Sequence, residues 1–338
     1  MGQPHSTTAS STHNYLLTPP ISPSHSPSHS PRSSSPVQKY YKVDSSHIFR
    51  DVSPVFRSID PKTYDDILKR SKYQLPSENE HIDRIQLRHL IFRYVWQGNF
   101  SSPVEEKLKD GAKILDVGCG SGSFILDVAP QFPNSKFYGI DTAQMYPSPN
   151  DPRIPPNASF SQIDIVKGLP FDDNTFDFVH LRFLVQYLTE EQWNEKVIKE
   201  LLRVTKVGGW IEIMELDLIF HNEGPNTAKL QGSTISYFNA QNINSIISPR
   251  LSQFLSSTSS FSTIHHEKRC TPLGCWGGRL GEFALIYFSM AFKNMKKVLP
   301  QFMGINGDEY DVLVERFNEE CEEYRTYMKT FKYWGQKC

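Results

Sequence analysis

Residues 114–124 read Ile-Leu-Asp-Val-Gly-Cys-Gly-Ser-Gly-Ser-Phe, a short apolar run that leads into three glycines at alternate positions. With no Cβ atoms at Gly118, Gly120 and Gly122, a flat or bulky ligand can lie against the main chain. The dinucleotide fingerprint G-x-G-x-x-G is the nearest rival pattern. Its last glycine lets a helix pack close beside a pyrophosphate, and here that position is Ser123. Asp116, just ahead of the glycines, puts negative charge where a pyrophosphate is repelled and an ammonium or sulfonium is favoured.

The elements that follow must position further groups around this loop. Lys136–Ile140 reads as a second strand and ends in Asp141, then Thr142. A carboxylate at that place, roughly 20 residues past the glycines, suits both hydroxyls of a ribose. A third strand, Ser159–Ile163, ends in Asp164, suited to an adenine amino group, with Ile165 offering backbone and an apolar wall. Asp172-Asp173-Asn174 is a turn cluster ahead of strand Phe176–Leu181, and strand Trp210–Leu216 follows a Lys-Val-Gly-Gly turn. Any one of these acids is equally well an Asp in a strand-ending turn. Three at successive strand ends fit a ligand lying along the carboxyl edge of a parallel sheet. The reading is an S-adenosylmethionine site built from Asp116, Gly118, Cys119, Gly120, Gly122, Asp141, Thr142, Asp164, Ile165 and Leu181.

Residues from about 110 to 217 resemble a class I S-adenosylmethionine-dependent methyltransferase in the glycine loop, Asp141, Asp164, the Leu169-Pro-Phe-Asp-Asp-Asn-Thr-Phe-Asp177 run and Gly208-Gly209. Three outer motifs are similar to those of the fungal LaeA-like methyltransferases, relatives of the velvet-complex regulator. They are Tyr73-Gln-Leu-Pro76 with Asp83-Arg84, Phe176-Asp-Phe-Val-His-Leu-Arg-Phe-Leu184, and Pro272-Leu-Gly-Cys-Trp-Gly-Gly-Arg-Leu-Gly281. That likeness spans about residues 65 to 337. It departs at Val207, where a proline usually precedes the two glycines. The resemblance implies an α/β fold: a Rossmann-like, seven-stranded, mostly parallel sheet with helices on both faces, an antiparallel last strand and an N-terminal helical cap. It also implies methyl transfer to a small metabolite, a protein or the enzyme's own thioether. The alternative is a regulatory protein that binds the cofactor and a protein partner with little or no turnover.

Methyl transfer asks for an aligned nucleophile and excluded water, and for a base only if the acceptor arrives protonated. Candidates facing the cleft are His180 and Arg182 after strand four, and Glu215 and Asp217 after strand five. His180 reads either as a general base or as an ordinary strand-end histidine. No Asn-Pro-Pro-Tyr-like run follows strand four, which disfavours the route to base or glutamine amide nitrogens that such a run serves.

Residues 1–45 form a Ser/Pro/Thr/His-rich arm without amphipathic period, expected to be disordered. Its Ser-Pro steps at Ser22, Ser26, Ser30 and Ser35 suit proline-directed kinases, or else the arm only solvates. Residues 46–110 form the cap, and 111–338 the catalytic domain with a C-terminal substrate insertion. In the cap, Ser77–Glu80 is a capping box opening a helix with Leu87, Leu90, Ile91, Tyr94 and Val95 at helical spacing. Arg84 on it is a candidate clamp for the methionine carboxylate, or a partner of Glu80. A second box, Thr189–Gln192, opens the helix of Trp193, Val197, Leu201 and Val204.

Beyond strand five, Leu218 to about Phe261 reads as helical pieces starting near Pro225. Phe283–Phe302 reads as a helix apolar almost all round, and Leu313, Phe317, Cys321, Tyr324 and Met328 as one helical face. Thr263–Thr271 and Thr330–Gly335 read as the closing hairpin. Two glycines beside Trp276 suggest backbone held close to something flat, such as an acceptor, or a tight structural turn.

Charges nearly cancel, 36 basic against 37 acidic, so nothing favours capture of nucleic acid or anionic membrane. Five cysteines with no C-x-x-C pair argue against a disulfide framework and a zinc site, so no metal is expected. Without an apolar leader or spanning run, the expectation is an intracellular protein, cytoplasmic or nuclear. Met1-Gly2 with Ser6 fits the myristoylation pattern but lacks a second anchoring signal.

Overall fold

Parallel strands are covered by helices on both faces, and β1 and β4 are accordingly buried over most of their length, even where Asp116 and His180 interrupt the apolar residues. The computed structural model describes residues 80–338. The arm, its Ser-Pro steps, Gly2, the Tyr73–Pro76 motif and the capping box opening at Ser77 lie outside the described residues. The strands are β1 (Lys113–Val117), β2 (Lys136–Asp141), β3 (Ala158–Gln162), β4 (Phe176–Arg182), β5 (Thr205–His221), β6 (Phe261–Pro272) and β7 (Tyr327–Lys337). They lie in the order β3-β2-β1-β4-β5-β7-β6. The first five pair in parallel, and β7 runs antiparallel to both β5 and β6. The chain therefore winds outward from β1 to β3, then returns to start again at β4. That reversal opens a crevice at the carboxyl ends of β1 and β4.

The helices are α1 (Glu80–Val95), α2 (Glu105–Asp110), α3 (Ser123–Val128), α4 (Glu190–Gln192, a π turn Trp193–Val197, then Ile198–Val204), α5 (Pro225–Asn239), α6 (Ser248–Ser257), α7 (Gly278–Met295), α8 (Leu299–Met303) and α9 (Gly307–Glu323). Period-two alternation sends Leu115, Val179 and Ile211 to one face, under Trp193 and Leu201 of α4 and Leu251 of α6. It sends Ile114, Phe137 and Phe178 to the other, under Phe124 and Val128 of α3 and Leu108 of α2. A third cluster joins α1, α5, α7 and α9 to Met214, Leu216 and Phe220 of β5.

Several boundaries differ from the sequence expectation. β3 stops at Gln162, because Asp164 turns to cap a short 3-10 turn, accepting from the Val166 N–H at 3.0 Å. β5 continues past Leu216 to His221 because β7 pairs with it as far as Tyr327. Glu215 and Asp217 are thus inside a strand, not after it. The expected helix Phe283–Phe302 breaks after Met295, and Ile286, Val298 and Phe302 are exposed, so it is not apolar-buried all round. Leu313, Phe317 and Cys321 do line the buried face of α9, whereas Tyr324 falls past its end and Met328 belongs to β7. The Thr189 box forms, with Thr189 Oγ1 accepting from the Gln192 N–H at 3.2 Å and Gln192 Oε1 from the Thr189 N–H at 2.9 Å. No helix among the described residues is long and apolar enough to cross a membrane.

Candidate active site

The glycine loop joins β1 to α3 at the crevice. Gly118, Gly120 and Gly122 have φ of 68°, 55° and 74°, the left-handed region that side chains with a Cβ resist. Their missing side chains also make room for the chain itself. A Cβ on Gly118 would come within 2.6 Å of Leu184, and one on Gly122 within 2.8 Å of the Phe160 ring. Opposite Gly120 stands Ile85 of α1, 3.4 Å from where its Cβ would sit. The cap helix therefore lies directly over the loop.

Asp141, at the end of β2, ties the loop down. Its Oδ2 accepts from the Gly120 N–H at 2.8 Å and its Oδ1 from the Ala143 N–H at 3.0 Å. Each carboxylate oxygen keeps a second lone pair for a ribose hydroxyl. Thr142 beside it is exposed. Asp164 is half-buried and engaged by Val166 and, at 3.3 Å, by Lys167. The Ile165 and Leu181 side chains are in the hydrophobic core, so both would offer a ligand backbone more than side chain. Tyr146, which sequence reasoning did not single out, is buried and stacked on Phe160 with centroids 5.2 Å apart.

Asp116 is buried and does not face the cleft alone: its Oδ1 is 2.7 Å from His180 Nδ1. His180 is fully buried within β4, stacked on Phe124 at 3.9 Å, and burial lowers its pKa despite the neighbouring carboxylate. Its ring is enclosed, and it is not among the residues that border the cleft. Cys119 is also enclosed. Burial, then the charges of Asp116 and Asp141, push its thiol well above the ordinary range, which leaves it a small neutral filler.

Arg182, the other strand-four candidate, does border the cleft, along with Asp116, Gly118, Cys119, Arg88 and His89. The residue after it, Phe183, has φ of 62°, an outlier for a bulky side chain, of the kind that clusters at functional sites. Phe183 donates its N–H to Met214 O at 2.9 Å and carries the Arg88 guanidinium over its ring at 4.5 Å. Glu215 is fully buried and accepts from the Leu184 N–H at 2.5 Å and the Val185 N–H at 3.3 Å, pinning the turn that fills the space over Gly118. Asp217 accepts from the Ser248 N–H at 3.0 Å and from its hydroxyl at 2.5 Å. Neither acid is open to the cleft.

Arg84 lies against Tyr287 of α7, with Nη1 3.5 Å from the phenol oxygen, and does not line the crevice. Arg88, one turn further along α1, does. Trp276 donates its indole N–H to Leu273 O at 2.8 Å, and its backbone N–H to Glu322 at 3.2 Å. A Cβ on Gly277 would strike Pro272 at 2.3 Å, so this turn closes on its own chain. Among the described residues no group of three His, Cys, Asp or Glu side chains is placed to hold a metal ion.

A parallel sheet reversing beside β1, a left-handed glycine loop at that reversal and a carboxylate at the end of β2 define a class I methyltransferase domain that takes S-adenosylmethionine. The donor set fits that cofactor: acceptors at Asp141 for the ribose, and opposite charges at Asp116 and Arg182 for an amino-acid end. Residues 114–209 match the protein family described as "Methyltransferase domain". The chain is 29% identical over 161 residues to a methyltransferase of Strobilurus tenacellus, covering 47% of this chain and 54% of that protein. It is 30% identical over 170 residues to the secondary metabolism regulator laeA of Coprinopsis cinerea, covering 49% of this chain and 40% of the other. It thus spans about half the length of the curated relatives it matches. A solved cyclopropane-fatty-acyl-phospholipid synthase-like protein from Lactobacillus casei is similar at a TM-score of 0.48 and 18% identity, over 79% of this chain and 99% of that one.

Proposed function

We propose that this chain binds S-adenosylmethionine at the β1 and β4 ends and transfers its methyl group to an acceptor lodged between α1 and the β6–β7 insertion. The observation that carries this is the glycine loop fastened to Asp141 beneath Ile85, which supports a cofactor held edge-on under a helical cap. When bound, the cofactor supplies an already activated methyl group on sulfur. Asp141 would hold the ribose, Asp164 the adenine edge, Asp116 the ammonium, and α1 would exclude water. Among the described residues bordering the cleft, His89 is the one imidazole, and both its nitrogens are engaged. The reading is therefore that the acceptor brings its own nucleophilic lone pair. The domain division, with the arm at 1–45, the cap at 46–110 and the core at 111–338, is part of the same proposal.

A second reading rests on the relatives described as secondary metabolism regulators: cofactor binding coupled to a protein partner, with little turnover. Incubation of the full chain with methyl-labelled S-adenosylmethionine and cell extract separates the two. Label entering a small molecule or a protein supports transfer and names the acceptor class. Tight cofactor binding without label transfer favours the regulator, and no binding by calorimetry would sink both.

A further inference from the structure

A buried chain of polar groups runs from α3 through the cap helix to the cleft, and the reading above gives it no work. Asp127 of α3 accepts from Asn99 Nδ2 at 2.8 Å and lies 3.2 Å from His89 Nε2 and 3.1 Å from Arg93 Nη1. His89 is 6% exposed, and its other nitrogen, Nδ1, is 2.7 Å from Arg182 Nη2. Burial first, and the charge of Arg182 second, bring the His89 pKa down to about 4, so the ring is neutral near pH 7. A guanidinium only donates. His89 Nδ1 must then accept from Arg182, and its single proton sits on Nε2 and is donated to Asp127. One tautomer satisfies the whole chain.

Arg182 has four further N–H donors, and none has a hydrogen-bond partner among the described residues. Burial pulls its pKa down only to about 10, so it stays charged. Its guanidinium sits over the Phe124 ring at 5.5 Å and borders the cleft with Gly118 and Cys119. An open, charged fork in a half-enclosed cleft suits a carboxylate, which can take two parallel bonds.

We propose that His89, fixed by Asp127, is a positioning residue that aims the Arg182 guanidinium at the carboxylate of the cofactor's amino-acid end. The cap helix thereby helps select the intact cofactor over its nucleoside part. This rests on the cofactor reading of the cleft.

The test compares two ligands by calorimetry with the full chain: S-adenosylhomocysteine, and 5′-methylthioadenosine, which lacks the amino-acid end. In Arg182→Met, affinity for S-adenosylhomocysteine should fall about 10- to 100-fold, as for a lost bond to a charged group, while methylthioadenosine binding stays within about 2-fold. His89→Leu should give the same selective loss at about 5- to 10-fold, with part of it restored in His89→Gln, whose amide can accept from Arg182 and donate to Asp127. A merely structural chain would weaken both ligands together or neither, and either result overturns the proposal. Should His89→Leu fail to fold, Asp127→Asn with Arg182→Met carries the comparison. Wild-type chain binding neither ligand would instead remove the cofactor reading on which the inference stands.

Discussion

Asp141 holds two tasks in one side chain. It fixes the Gly120 and Ala143 amides at 2.8 and 3.0 Å, and it keeps lone pairs toward the crevice. Asp141→Ala should therefore weaken S-adenosylmethionine by roughly 1.5–3 kcal/mol for each charge-assisted bond lost, and loosen the loop as well. Calorimetric titration giving wild-type affinity would mean that the ribose lies elsewhere. Near it, Gly139 is a requirement that no motif announces: a Cβ there would sit 2.5 Å from Phe160 and 2.9 Å from Ile125. Phe160 fills space over Gly122 as well, so one ring makes glycine necessary at two distant positions.

At the scale of elements, β5 places a buried acid beneath the turn that follows β4. Burial pushes the Glu215 carboxyl up to about 8, against the bonds it accepts from Leu184 and Val185. The fold thus favours its protonated form. That contribution to stability is complete below the ordinary value of 4.5 and is lost as pH rises toward 8, at about 1.4 kcal/mol per pH unit. Denaturant unfolding of wild type and Glu215→Gln across pH 5 to 8 should show wild type losing ground to the neutral variant. A constant gap across that window would place the ionisation outside it. β5 also carries Glu212, fully buried, which accepts from the Ser101 N–H at 2.8 Å and the Ser102 N–H at 2.7 Å, and pairs with Lys332 of β7 at 3.2 Å. This locks the segment after α1 onto the sheet and helps hold the cap in place.

At the scale of the whole molecule, the core is three apolar clusters that share the sheet, all formed by described residues from Leu87 onward. Deleting residues 1–45, whose composition offers little apolar surface to bury, should leave the melting temperature and cofactor affinity unchanged. A large fall in melting temperature would show that the arm packs on the domain.

The sequence by itself determined the parallel strands, the loop between β1 and α3 and the acid at the end of β2. Each is a local pattern: apolar runs of strand length, glycines at left-handed positions and a carboxylate where a strand must stop. The Thr189 cap was legible for the same reason. Only the tertiary structure decided which face His180 turns to, that Glu215 and Asp217 lie within a strand, and that Arg88 rather than Arg84 borders the cleft. The His89–Asp127 link joins residues 38 apart in the chain, and Arg182 is 93 residues from His89. A single sequence carries no signal for such pairs, because burial and contact between distant segments depend on how the helices pack on the sheet, which periodicity along one segment does not encode.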